Sequence, residues 1–139
     1  MRLDLLADLR LTYRAPLTLV RPYGTGEGSG YGEGDGSFEG PKLRGEFRWV
    51  NHPHRRSDGR FLPDLHALVS THDGATLLFH MSGRTQFGEN NQGRQLLTIL
   101  FETEDPRYTW LNDSLCVVEG IVEPPSMRAK LFACIHEFA

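Results

Sequence analysis

Asp64, His66, His80 and Glu102 are the residues whose types and spacing best suit proton-transfer chemistry. In the segment DLHALVST (64–71), the two-residue repeat of a strand puts Asp64 and His66 on one face with Leu68 and Ser70. In ATLLFHMS (75–82), Thr76, Leu78, His80 and Ser82 share a face; in QLLTILFET (95–103), Glu102 shares one with Leu100 and Thr98. Turned toward the inside of a closed sheet, these faces would bring two carboxylates and two imidazoles into one pocket. Burial and mutual proximity push the pKa values of such groups apart, so that one serves as base and another as acid near neutral pH. Asp64 or Glu102 is the expected base and His66 or His80 the expected acid. Arg84, with Arg44 and Lys42, could hold a carboxylate or enolate oxygen, and Tyr108 or Trp110 could supply an aromatic wall. The alternative for each charged residue is a solvated face, with the apolar faces filling the interior.

Other chemistries find less support. His52-Pro53-His54 with Asp58 places two imidazoles and a carboxylate close in sequence. Proline between the histidines and Arg55-Arg56 beside them disfavour a cation, so this segment reads as a solvated loop and no metal site is expected. Cys116 and Cys134 lie in apolar runs, where a cysteine usually packs, and Gly-x-Ser-x-Gly is missing. Glycine occupies every even position from 24 to 36. Dinucleotide and phosphate loops need glycines an odd number of residues apart, which an even-only series cannot supply. Segment 24–36 is therefore expected to be a flexible Gly-rich loop or a glycine-weakened strand, with a lid over a barrel mouth as the functional alternative.

The elements that must position these residues are strands. Alternation runs through Leu11 and Tyr13, through Leu43, Phe47 and Trp49, and through segments 64–71, 75–82, 95–103, 114–122 and 128–138. With 17–20 added, about eight strands result, separated by turns such as Ser-Asp-Gly and His-Asp-Gly. Only the first ten residues are ambiguous, because Leu3, Leu6 and Leu9 also suit one helical face. The fold expected is an all-β, closed antiparallel barrel of lipocalin-like type, closure being the way to remove sheet edges. A length of 139 residues fits one domain with an adequate core. Fifteen Lys and Arg against eighteen Asp and Glu give a net charge of −3, which argues against a nucleic-acid partner. No apolar run is long enough to cross a bilayer as a helix, the first residues do not form a signal peptide, and two cysteines make no disulfide framework. A cytoplasmic protein without a membrane partner is expected.

Three segments in order carry a family resemblance: GSFEGPKLRGEF (36–47), SDGRFLPDLHALVSTHDGATLLFHMSG (57–83) and FETEDPRYTWLN (101–112). Their pattern resembles the bacterial and fungal family called domain of unknown function 3237, over roughly residues 24–138. The block Tyr108, Trp110, Leu111, Asn112 is its most specific part, and Glu39 and Asn112 join Arg44, Arg84, Tyr108 and Trp110 as expected substrate-binding residues. The resemblance implies a barrel similar to allene oxide cyclase and dirigent proteins, which handle small, often aromatic or polyketide-like molecules of secondary metabolism without cofactors. Two departures stand out. The family's Gly-Gly-x-Asp-Trp turn reads WVNHPHRRSDG here, and its Asp-x-Arg reads Asp64-Leu65-His66, so a permanent cation is replaced by a titratable imidazole.

The function expected is that of a cofactor-independent isomerase, cyclase or lyase acting on a small, partly apolar organic molecule inside the barrel. A barrel that binds such a molecule without chemistry, and a purely structural subunit, are the rivals; an apolar lining would favour the binder and convergent titratable groups the enzyme. If the polar faces point inward, Leu65, Ala67, Val69, Leu77, Phe79 and Met81 must be covered from outside, and a two-fold homodimer is expected.

Overall fold

A computed structural model describes residues 1–139. It contains strands β1 (Arg2–Tyr13), β2 (Thr18–Val20), β3 (Gly28–Glu39), β4 (Gly45–Asn51), β5 (His54–Arg55), β6 (Phe61–Leu62), β7 (Asp64–Thr71), β8 (Thr76–Phe87), β9 (Gly93–Glu102), β10 (Cys116–Glu123) and β11 (Ser126–Ile135), with one 3-10 turn at Thr109–Asp113. Strand β1 pairs with both β3 and β11, closing the antiparallel ring β1-β11-β10-β9-β8-β7-β4-β3. The short strands β2, β5 and β6 extend the sheet outside this ring. The expected barrel of eight strands is therefore present, with a different membership. The ambiguous first ten residues form β1, and the run Leu17 to Val20 contributes only the off-ring β2.

Of the two readings of 24–36, flexible loop and glycine-weakened strand, the strand holds from Gly28 onward. There the chain pairs with β1 and β4, and its even-numbered glycines face the interior. Their faces lie against large neighbours. A methyl group at Gly34 would overlap the Thr12 carbonyl oxygen and the Trp49 ring; one at Gly36 would overlap Phe47 and the Arg10 carbonyl oxygen. One stave of the barrel thus carries almost no inward side chains, and aromatic rings from β1 and β4 fill its space.

The interior is apolar. Phe38, Phe47, Phe79 and Phe101 pack with ring centroids 4.9–5.9 Å apart. Leu43 and Leu111, both fully buried, close the end where β3 and β9 finish. A bulge between Leu5 and Ala7 lets Leu6 and Ala7 both reach the core. Leu65, Ala67, Val69, Leu77, Phe79 and Met81 belong to this core, so the polar faces of β7 and β8 point outward. This overturns the inward placement of Asp64, His66, His80 and Glu102, and with it the reason given for a homodimer. The interior of an eight-strand barrel is just wide enough for its own side chains, and four phenylalanines leave no room for a charged cluster.

Candidate functional site

Asp64, His66 and His80 do come together, on the outer wall. His66 and His80 are direct cross-strand partners, and their rings stack with centroids 4.4 Å apart and planes 11° from parallel. Asp64 begins β7 on the same face; His80 Nε2 donates to its Oδ1 at 2.6 Å, and His66 Nε2 lies 3.4 Å from the same oxygen. All three side chains are about half exposed. Asp64 and Arg84 also line an open outer groove with Leu96, Val117 and Phe132, while the Arg84 guanidinium donates to the Gly83 carbonyl.

The remaining expected residues do not join them. Glu102 faces solvent opposite Leu78, outside the Asp64 cluster. Glu39 ends β3 opposite Asp8, exposed, and Arg44 is exposed while its carbonyl accepts from the His72 backbone and imidazole. Tyr108 and Asn112 have structural work at the closed end of the barrel. The buried Tyr108 hydroxyl donates to both Asp73 carboxylate oxygens, at 2.8 and 2.9 Å. Asn112 clasps the Thr103 backbone, accepting from its N–H and donating to its carbonyl. Trp110 lies in the 3-10 turn between them, partly exposed. The family-specific block is thus a plug that holds Leu111 in the barrel end and lines no interior cavity. His52 and His54 both line the outer groove but take different partners: His52 meets the Tyr31 ring, and His54 pairs with Glu27. Burial pushes the Cys116 thiol up to about 11, as suits a cysteine that packs in the core.

The enclosed space lies at the other end. A cavity of about 160 Å³ opens at the mouth formed by β1, β8, β9 and the turn before β11, with Leu11, Trp49, Leu65, Met81, Leu97 and Met127 among its apolar walls. Tyr13, Thr85, Gln95 and Ser126 supply the polar part of this lining. Gln95 Nε2 donates to Thr85 Oγ1 at 2.6 Å, while Gln95 Oε1 is buried without a hydrogen-bond partner. Across the cavity, the Tyr13 hydroxyl oxygen accepts from Asn51 Nδ2 at 3.0 Å, and burial raises its pKa, so the phenol stays protonated. Sequence reasoning missed these residues although a signal existed. Thr85 continues the inward parity of Leu77, Phe79 and Met81, and Gln95 that of Leu97, Ile99 and Phe101. A polar residue at the end of an apolar face marks the rim of the core.

Fold and site together define a closed antiparallel barrel with a packed base and a small, mostly apolar mouth. The chain belongs to the protein family of unknown function DUF3237, whose model matches residues 1–133. Among solved structures, it is similar to a β-barrel-like protein from Acinetobacter baumannii (TM-score 0.86, 20% identity, covering 95% of this chain and 94% of that one). It is similar too to a protein of unknown function from Clostridium acetobutylicum (TM-score 0.87, 16% identity, 97% and 100% covered). An enzyme from Penicillium herquei shares the fold at TM-score 0.73 and 21% identity, with 94% and 93% covered. At these identities the likeness carries the fold alone, and the similarity to allene oxide cyclase and dirigent proteins rests on the sequence resemblance. No curated protein matches the sequence.

Proposed function

We propose that the protein binds a small apolar molecule, of about the size of one ring and bearing a polar group, in the mouth of the barrel. The observation that carries this reading is the unpartnered Gln95 Oε1, a buried acceptor in a mostly apolar lining. A buried acceptor left unpaired costs about 1–3 kcal/mol, and a ligand hydroxyl or N–H would recover it. An enclosed apolar space of about 150 Å³ accepts benzene. Tyr13 O–H, whose oxygen already accepts from Asn51, has its own proton free for an acceptor on the same ligand.

Trp49 borders the cavity and reports occupancy by its fluorescence. Phenol, which supplies both a donor and an acceptor, is expected to bind more tightly than toluene, and Gln95→Leu to abolish that preference. Equal binding of the two to the native protein, or a preference retained in Gln95→Leu, would overturn the reading.

A second reading keeps the enzyme, and the protonated Tyr13 phenol favours it. A buried donor held by Asn51 can stabilise an enolate or carbonyl oxygen, as an isomerase, cyclase or lyase requires. The two readings part in Tyr13→Phe: a binder loses one hydrogen bond to its ligand, whereas an enzyme loses turnover with binding largely kept.

The homodimer is proposed on a face other than the one the sequence suggested. Leu5, Phe132 and Val117 form one outward cross-strand row, and Leu3 and Leu100 lie in the next. Exposed apolar rows of this kind commonly mark an interface. Light scattering at micromolar concentration is expected to give twice the mass of the chain, and Leu5→Glu with Leu100→Glu to halve it.

A further inference from the structure

The outer-wall cluster has a composition that neither the mouth cavity nor the barrel's packing calls for. We propose that Asp64, His66 and His80 form a binding site for one divalent first-row transition-metal ion. One donor atom from each residue lies within 4.8 Å of the other two. In a tetrahedral zinc site with bonds of about 2.0–2.2 Å, ligand atoms lie about 3.3–3.6 Å apart. Asp64 Oδ1 and His66 Nε2 already stand 3.4 Å apart, and the 2.6 Å hydrogen bond from His80 must open by roughly 0.7–1.0 Å to match. The ion would replace the proton that His80 Nε2 now directs at the Asp64 carboxylate oxygen. The stacked rings must tilt for their lone pairs to converge, and half-exposed side chains leave room for that tilt.

Two further features hold the donors in place. The imidazoles sit on directly paired residues of adjacent strands, so the hydrogen-bonded ladder fixes their separation. Asp64 is held by its backbone, its N–H donating to the buried Asn51 Oδ1 at 3.0 Å and its carbonyl accepting from His52 N–H at 2.9 Å. Two imidazoles and a carboxylate suit zinc, nickel or copper better than magnesium or calcium, which prefer oxygen alone. Three protein ligands leave the fourth position to water.

Calorimetric titration of the chelator-treated protein with zinc chloride tests the site. One zinc per chain is expected, and His66→Ala, His80→Ala and Asp64→Asn should each weaken binding by at least about tenfold. His136→Ala, outside the cluster, should bind as the native protein does. Histidine C2-proton resonances of the native protein give a measure that needs no variant: of the six histidines, His66 and His80 should shift together on adding zinc. No binding of zinc by the native protein would overturn the site. So would undiminished binding by the His66→Ala/His80→Ala double variant, or zinc-induced shifts confined to other histidines.

Discussion

Asn51 holds Asp64 in place from within the barrel wall: its Oδ1 accepts the Asp64 N–H at 3.0 Å. The same side chain donates through Nδ2 to the Tyr13 hydroxyl, also at 3.0 Å. One buried amide therefore ties the interior phenol of the mouth cavity to the first residue of the outer cluster. Replacing Asn51 by Leu leaves the Asp64 N–H without its partner, and unfolding in urea should show a loss of about 1–3 kcal/mol. A midpoint unchanged from the native protein would show that water replaces the amide at no cost.

The inward glycines of β3 differ in what they face, and their substitutions should differ in kind. At Gly32 a methyl group meets only side chains, those of Tyr13 and Leu17. At Gly34 it meets the backbone carbonyl of Thr12 as well as Trp49. Gly32→Ala is expected to cost about 1–3 kcal/mol and to be largely rescued by Tyr13→Val. Gly34→Ala should cost more, and Trp49→Leu should fail to rescue it, because the Thr12 backbone cannot be trimmed. Thermal melts of the four variants decide this.

Acid should loosen the closed end first. Arg107 donates side-chain hydrogen bonds to Asp105 and holds its carboxyl at about 2, against an ordinary 3.8. Thr71, then Tyr108, hydrogen-bond the Asp73 carboxylate and lower its pKa as well. A carboxyl with a depressed folded pKa contributes stability that is complete above its unfolded value and disappears as pH falls through the folded one. The contribution of Asp105 should thus fade between about pH 4 and pH 2. Asp105→Asn is expected to melt below the native protein at pH 7 and together with it near pH 2. A constant gap across that range would show that the pair contributes nothing through charge.

The Tyr108 hydroxyl should matter for stability and leave the mouth untouched. Tyr108→Phe removes both bonds to Asp73 at the end opposite the cavity. Its melting temperature should fall by a few degrees, with phenol binding at Trp49 unchanged. Loss of phenol binding in this variant would put the family-specific block back among the ligand-binding residues.

Alternation made the barrel legible, and it gave the strands β4, β7, β9, β10 and β11 close to their observed limits, whereas β8 continues past the expected Ser82 to Phe87. It left β3 open between a loop and a glycine-weakened strand, because Gly28, Gly30, Gly32, Gly34 and Gly36 leave Phe38 as the one large apolar side chain on its inner face. The grouping of Asp64 with His66 was legible from parity alone, but that His66 stands opposite His80 depends on register, which a single strand does not encode. Parity alone leaves open which face of a strand points inward. Leu65, Ala67 and Val69 form the wholly apolar alternative, and hydrophobic burial decides the matter in their favour.

The bare inner face of β3 also sets where this sequence is free to drift. Along Gly28, Gly30, Gly32, Gly34 and Gly36, a side chain of any kind meets a neighbour within about 3.2 Å, whereas Ser29, Tyr31, Glu33 and Asp35 between them project outward. A library randomised across the strand should return survivors in a stripe, fixed at even positions and open at odd ones. Charge, solubility and surface recognition can then be rewritten on every second residue without disturbing the wall they stand on.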